Sequence, residues 1–533
     1  MKHSARLSLF LRHWHIYAFL LIFILGCGLR FIHLSGWMWD MGGYDESRDM
    51  LIASHLVEHG DWVWRGPLAA GGFNILANSP FYYYFIAAIW AVSRTPEVFM
   101  VVWAIVMASI IPLGYTLGNR LWDKPAGLYI ALLFAVHPTF VEMGKFLSQV
   151  NLVPLWVVIV LNMLISKKRW GYVQLLLGLT VIFLGLHIHY GSLLVVGSFF
   201  IWQCWIWWHD SNISSPILRI ISVTLVTLCL VWVWVYSTYK YAPFDQFLFI
   251  VLHLQNAHPS NTRMALEAMK SVGTLLWIGT FDLRAMFFGV IGIVGYVFGF
   301  ASKLFSVHVR NFFIWGLVCI VLAYIMVGIY LGRVPLSYLY SLLPFYIVMY
   351  GIFFRRIYES NRFLGVIIFV PVIAIFSTQS WQRMQPQGYT SNYLRYKDIS
   401  TAIVGDYRSL KDANRSFDVP SFIVETFSTP SYAVFDEWAN GSAWYWVEKM
   451  LNKKLVTINA EGNFQALIAR PRYAYIICDH GDAGRSAIQS CLHKLSLKNK
   501  YILSVYDDIF SSDYYTVWRF RVMDSMPSDS SDE

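Results

Sequence analysis

Eleven separate runs of about twenty mostly apolar residues constrain this chain more than any other feature, because an α-helix of that length is what crosses the hydrocarbon core of a bilayer. They lie at 14–33, 97–118, 126–144, 150–166, 171–189, 191–208, 217–237, 285–302, 312–331, 335–354 and 363–379. Of 533 residues, 57% are hydrophobic and 14% charged, against about 25% charged in soluble domains. An ordinary cytosolic enzyme is excluded, and a polytopic α-helical membrane protein of about eleven spans is expected. The first run is too long and too poorly followed by small residues for a cleaved signal peptide, and is expected to stay as an anchor.

Charge along the chain sets an orientation. A net charge of +9 would suggest nucleic acid if it were spread over a soluble surface. Residues 1–379, however, hold 24 Lys and Arg against 14 Asp and Glu, while residues 380–533 hold 17 against 18. The excess lies in the apolar part, where basic side chains orient helices in a bilayer rather than grip phosphodiesters, so no nucleic-acid partner is expected. With Lys2, Arg6 and Arg12 cytoplasmic, alternate loops carry Arg120/Lys124, Lys167/Lys168/Arg169, Arg219, Lys303/Arg310 and Arg355/Arg356/Arg362. The intervening segments hold Asp40, Asp45, Glu46, Asp49, Glu58 and Asp61. This positive-inside pattern, with an odd number of spans, predicts a multi-pass plasma (inner) membrane protein with a cytoplasmic N-terminus and an external, periplasmic C-terminal part. The further apolar run at 80–93 is short for a span, and counting it would put the basic loops on the wrong side. It reads as a re-entrant or interfacial helix whose Phe81-Tyr82-Tyr83-Tyr84 start suits the aromatic belt.

Hydropathy falls after about residue 380. Short β-like runs at 421–427, 454–459, 473–478, 501–506 and 514–520 alternate with helix-like stretches at 443–451 and 484–497, which predicts a small soluble α/β domain. The expected organisation is a transmembrane domain over 1–379, an external α/β domain over 380–525 and a disordered Ser/Asp-rich tail over 526–533. No internal repeat is visible. Cys27, Cys204, Cys229 and Cys319 fall in predicted spans as reduced thiols, whereas Cys478 and Cys491 fall in the external domain, where the compartment allows a disulfide that spacing alone does not fix.

The most informative stretch is the external segment after the first span. It reads Trp39-Asp40-Met41-Gly42-Gly43-Tyr44-Asp45-Glu46-Ser47-Arg48-Asp49, then Gly60-Asp61-Trp62, then Asn78-Ser79-Pro80-Phe81-Tyr82-Tyr83. Carboxylates beside a membrane surface are costly to desolvate unless paired, coordinated or used. By residue type alone a solvated acidic loop remains open. The order of features goes further: Asp45-Glu46-Ser47-Arg48 opens an amphipathic run (Met50, Leu51, Ala53, Ser54, Leu56, Val57) that closes at Gly60-Asp61-Trp62.

In these residues the chain resembles the C-type (GT-C) integral membrane glycosyltransferases, in particular the branch of protein O-mannosyltransferases and the lipid A aminoarabinose transferase. The resemblance covers roughly residues 14–200 in good order and extends more loosely to 354. It rests on the Asp-Glu-X-Arg opening, the helix ending near Gly-Asp-Trp and the Pro-centred aromatic segment before the second span. It implies transfer of a sugar from a polyprenyl-phosphate carrier to a lipid, glycan or protein acceptor on the external face, by an inverting displacement. Such a displacement needs a base for the acceptor hydroxyl and hydrogen-bond donors or positive charge around the leaving phosphate. Asp45 matches the family's catalytic carboxylate and is assigned as general base, with Glu46 as substitute or acceptor orienter. Arg48 stands where it contacts substrate or pairs with one of these acids across a helical turn. Asn78 belongs to the Pro-centred segment and is assigned to substrate binding.

The family's second polar cluster corresponds here to Lys145-Phe146-Leu147-Ser148-Gln149-Val150-Asn151, with Asn151 about where an Asp would be. An amide cannot act as a base and makes a two-carboxylate metal site less convincing. A divalent cation is therefore not expected to be obligatory. Lys145, His189 and Arg333 are the candidates for phosphate, set against a packed polar histidine and an interface-snorkelling arginine as their structural alternatives. Two patterns are decoys. Trp207-Trp208-His209-Asp210 is a broken Trp-Trp-Asp signature on a cytoplasmic loop, and His253 and His258 lack the spacing of a helical zinc pair. A polytopic transporter or lipid flippase, and a non-catalytic assembly protein, are the rival classes. The first would call for mid-membrane charge and repeat symmetry, which the sequence does not show.

Overall fold

The computed structural model describes residues 2–37, 43–64, 79–165, 172–199, 305–329, 336–384, 392–412, 422–427, 441–452, 456–458, 464–466, 473–479, 502–511 and 515–523, with a few isolated positions between them. It is mostly helical and separates into two compact units. The first comprises residues 1–34, 64–85 and 95–386, and the second residues 35–63, 86–94 and 387–533.

The first unit is a bundle of apolar helices: α1 (Lys2–Phe31), α5 (Pro96–Ala108), α6 (Ile110–Leu121), α7 (Lys124–Val136), α8 (Pro138–Met143), α9 (Leu152–Leu164), α10 (Tyr172–Ile188), α11 (Val307–Ile329), α12 (Leu343–Ser360) and α13 (Arg362–Met384). Among the described residues three helical stretches are long and apolar enough to cross a membrane: Trp14–Gly36, Pro96–Leu121 and Arg362–Gln382. Their outward faces carry large apolar side chains, Leu21 and Ile24 on α1 and Phe363 and Val370 on α13 among them, as expected of helices solvated by lipid rather than water. The predicted run at 217–237 lies outside the described residues.

Two expectations are corrected by proline. The run at 126–144 is not one helix but α7 and α8, broken at His137, whose ψ of 123° is extended. Pro138 disfavours a helical conformation in the residue before it and then starts α8 at its first position. The run at 335–354 is likewise divided, into a 3₁₀ stretch (Leu336–Leu342) and α12, which carries Pro344 in its first turn. The run at 80–93 forms α4 (Phe81–Ser93). Its 13 residues reach about 20 Å, short of the roughly 30 Å of hydrocarbon.

Inside the bundle, two indole groups bond across helices. Trp103 donates its indole N–H to the Met143 carbonyl at 3.1 Å and Trp156 to the Val181 carbonyl at 2.6 Å. The ends of the helices segregate by charge. Lys124 Nζ donates to His15 Nε2 at 3.2 Å, Arg120 donates to the Asn162 carbonyl at 2.5 Å, and Arg355 holds Asp123 Oδ2 through Nε at 2.8 Å and Nη2 at 2.6 Å. Asp123 also caps α7 by accepting from the Ala126 N–H. The middle of α1 at His15, the α6–α7 turn, the end of α9 and the end of α12 therefore meet at one basic end of this unit.

The second unit has a four-stranded mixed sheet, order β1-β4-β6-β5, from β1 (Phe422–Phe427), β4 (Tyr473–Asp479), β5 (Ile502–Ser511) and β6 (Tyr515–Met523). β1 and β4 run parallel, while β6 is antiparallel to both its neighbours. A separate ribbon pairs β2 (Val456–Ile458) with β3 (Phe464–Ala466). Helix α14 (Asn392–Asp412) buries Tyr396, Ile399, Ile403, Tyr407 and Leu410, a spacing of three and four that makes one continuous stripe. Asp406 on that helix accepts from the Tyr475 hydroxyl at 2.8 Å and from Arg519 at 2.5 Å, tying α14 to β4 and β6. α15 (Gly441–Leu451) packs on α14, with Lys397 Nζ 5.2 Å from the centre of the Trp446 ring.

Helices α6 and α7 cross through facing glycines. A Cβ on Gly118 would fall 2.7 Å from the Gly127 Cα, and one on Gly127 would fall 2.5 Å from the Tyr115 carbonyl oxygen. Both obstacles are backbone, so Gly127→Val is expected to destabilise the bundle by about 1–3 kcal/mol or more. Gly28→Ala, where an added methyl meets open space, is expected to be neutral. Thermal unfolding of the two variants in detergent checks the difference.

Candidate functional site

The predicted site residues fall into two groups, one in each unit. In the first unit they gather at the end of the bundle opposite the basic one. The turns Gln149–Asn151 and Tyr190–Ser192 both pack on the 3₁₀ stretch Leu336–Leu342, so the 145–151, 189–192 and 336–342 segments come together. Arg333 itself, like Asn78, lies outside the described residues. Lys145 is buried and its ammonium donates to the Ile32 carbonyl at the end of α1. Burial, and secondarily the positive charge of Arg30, push its pKa down to about 8. Asn151 is also buried, but its amide donates to the Phe146 carbonyl at 2.8 Å, bracing its own loop. His189 caps the end of α10: its Nδ1 accepts from the Gly191 N–H at 3.0 Å. His187, two residues earlier, reaches another segment, with Nδ1 2.9 Å from Ser79 Oγ beside Pro80.

Arg30 is a cation that sequence reading passed over, because one arginine at the end of an apolar run looks like a snorkelling anchor. It is fully buried, packs against Gly144, and gives its Nη groups to the Gly26 and Phe134 carbonyls at 2.8 and 3.2 Å. Among the described residues neither Arg30 nor Lys145 meets a carboxylate.

In the second unit, Asp45 and Glu46 lie in the first turn of α3 (Gly43–Glu58). Glu46 and Ser47 are fully buried, as are Met50, Ile52 and Ala53. The helix is enclosed over most of its circumference, not on the single stripe that the amphipathic pattern suggested. Arg48 holds Asp49 Oδ1 with Nε at 2.9 Å and Nη2 at 2.8 Å.

The far end of α3 carries a network that the sequence did not reveal, because its members are 393 positions apart. His55 is buried, with Nε2 2.8 Å from Glu448 Oε2 on α15 and Nδ1 3.0 Å from Asp61 Oδ2. Carboxylates only accept, so both ring nitrogens must donate, and the ring is an imidazolium. Lys454 closes the chain with Nζ 2.6 Å from Asp61 Oδ1. Burial of His55 lowers its pKa, but the bonds and charges of Glu448 and Asp61 outweigh that and hold it above the usual histidine value. Burial of Asp61 acts upward and is likewise outweighed, by Lys454 and His55, so its carboxyl titrates below the usual range. The motif Gly60-Asp61-Trp62 is thus the loop that returns a carboxylate to the helix it terminates, with Gly60 at a φ of +69° making the turn.

No family model and no curated protein matches the chain. Among solved structures, ArnT from Cupriavidus metallidurans bound to undecaprenyl phosphate aligns over 94% of this chain and 97% of its own, at 11% identity and a TM-score of 0.54. The same protein in the apo state gives 11% identity and 0.53 over the same shares. The archaeal oligosaccharyltransferase AglB from Archaeoglobus fulgidus, in complex with an inhibitory peptide and a dolichol-phosphate, aligns over 98% of this chain and 75% of its own at 13% identity, with a TM-score of 0.47. The chain shares the fold of ArnT, a GT-C glycosyltransferase, as its motifs indicated.

The His55 network has a definite pH dependence. Its ion pairs contribute fully below the ordinary histidine value of 6.5 and are lost as pH rises through the raised folded value. Asp61 contributes above the ordinary carboxyl value of 3.8 and is lost only as pH falls through its lowered folded value. Protection of the α3 amides against hydrogen exchange is therefore expected to weaken on the alkaline side. In His55→Gln that alkaline slope should vanish.

Proposed function

We propose that the protein is a glycosyltransferase that moves a sugar from a polyprenyl-phosphate carrier to an envelope glycolipid, glycan or protein hydroxyl by an inverting displacement. The observation that supports this most is the pair of buried cations, Arg30 and Lys145, at the polar end of an apolar bundle. Burying charge in such a bundle is costly unless an anion compensates it. A phosphate at the end of an isoprenoid chain is an anion whose tail belongs in the same apolar surroundings.

In this reading Asp45 takes the proton of the acceptor hydroxyl while the hydroxyl oxygen bonds to the anomeric carbon from the face opposite the phosphate. The bond from that carbon to the phosphate oxygen breaks, and the carrier phosphate leaves with the electron pair. Lys145 and Arg333, with His189 and Arg30, stabilise the charge that develops on it. Glu46 and Arg48 orient the acceptor end of α3, and Asn78 and Asn151 supply neutral hydrogen bonds to substrate. The basic end of the bundle faces the cytoplasm by the positive-inside rule, which puts the chemistry and the domain over 380–525 outside, in the periplasm. Two carboxylates and a set of cations provide base and leaving-group stabilisation without a metal, so no divalent ion is required.

An Asp45→Asn protein that inserts normally is expected to transfer sugar from a polyprenyl-linked donor roughly 10²- to 10⁴-fold more slowly; transfer at the wild-type rate would overturn the mechanism. Treatment with EDTA is expected to leave the wild-type rate unchanged. Activity lost on chelation and restored by Mg²⁺ or Mn²⁺ would show an obligatory ion instead.

A further inference from the structure

A cleft opens in the second unit where the end of α3, the end of α4 and α15 meet. It belongs to none of the roles assigned above. Its walls carry four charged side chains of both signs, Glu58, Glu448, Lys449 and Lys454, with Asn452 at the rim and Trp90 and Tyr445 on the inner side. Three of the four charged groups are anchored from behind. Glu58 accepts the Trp90 indole N–H on one oxygen at 3.1 Å, Glu448 is held by the His55 imidazolium, and Lys454 spends one ammonium proton on Asp61. Trp90 is itself fixed, fully buried and edge-on to Tyr445 with ring centres 6.0 Å apart.

Side chains pinned by buried partners and turned to an open cavity are what a binding site requires, since ordering them at the moment of binding costs nothing further. Charge decides the ligand class. Two carboxylates and two ammonium groups cancel, so the cleft offers neither the positive field a phosphate needs nor the negative one a cation needs. What remains is a dense set of fixed donors and acceptors beside aromatic surface. We infer that this cleft binds a neutral polyhydroxylated group, a sugar unit, and that it holds the glycan part of the acceptor while α3 presents Asp45 at its other end. The role as an acceptor subsite rests on the transferase reading; the binding itself does not.

The test is saturation-transfer NMR on the full-length protein in detergent, with the methyl glycosides of glucose, galactose, mannose and N-acetylglucosamine as probes. At least one is expected to bind saturably, and Glu58→Gln and Lys449→Ala should each weaken it about ten-fold, the loss of one charged hydrogen bond. Lys449 is solvent-exposed, so its truncation spares the fold. Asp45→Asn should bind the sugar as the wild type does. Failure of all four glycosides to bind, binding that both cleft variants leave unchanged, or displacement of the sugar by inorganic phosphate or Mg²⁺ would each overturn the inference. Sugar binding in a protein that transfers nothing would leave the cleft assignment standing and sink the transferase reading alone.

Discussion

A charge enclosed by apolar side chains must find a partner, and the structure of this chain is organised around where those partners are found. At one end of the helical bundle the answer is local: Arg355 with Asp123, Arg120 with a carbonyl, Lys124 with His15. These contacts join the turns that positive charge alone would have assigned to one side of a membrane. At the opposite end the answer is incomplete within the described protein. Arg30 and Lys145 are satisfied only by carbonyl oxygens. Among the described residues the two ends differ in that Arg355 meets a carboxylate, Asp123, whereas Arg30 and Lys145 meet none.

The second unit solves the same problem with a chain of alternating charges. Glu448, His55, Asp61 and Lys454 follow one another at 2.8, 3.0 and 2.6 Å. An imidazolium between two carboxylates, one of them bound to an ammonium, carries no net excess. The chain ties α3 to α15 and so joins the helix that begins with Asp45 and Glu46 to the part of the protein built from residues after 387. The candidate base thus stands on a helix whose other end is fixed by ion pairs and whose middle is enclosed by packing. A base working at a reacting centre needs such support, because small displacements of a catalytic group cost large factors in rate.

Much of the helical plan was legible. Hydropathy over windows of twenty residues located α1, α5 with α6, α9, α10 and α13, because backbone hydrogen bonding in an apolar medium leaves a long apolar run few alternatives to a helix. Where the pattern misjudged, the reason was local stereochemistry. Pro138 ends α7 within a run whose hydropathy continues without interruption. Strands β1, β4, β5 and β6 fall on the runs read as β-like, while the three-residue β3 was too short to register. The candidate site was less legible. Asn151 and His189 have the right residue types, but both spend polar atoms on bracing their own turns. His187 and Arg30 carried no motif.

By itself the sequence determined the membrane-spanning character of the helices, the segregation of charge and the acidic opening of α3, since each of these is a property of consecutive residues read against a bilayer or a helix dipole. Only the tertiary structure decided which charges meet. That His55 belongs with Glu448, that α3 forms a unit with residues 387–533, and that Arg30 packs on Gly144 beside Lys145 depend on contacts between distant positions. No local preference encodes such a contact, because its energy exists only once both partners have left water for the same enclosed place.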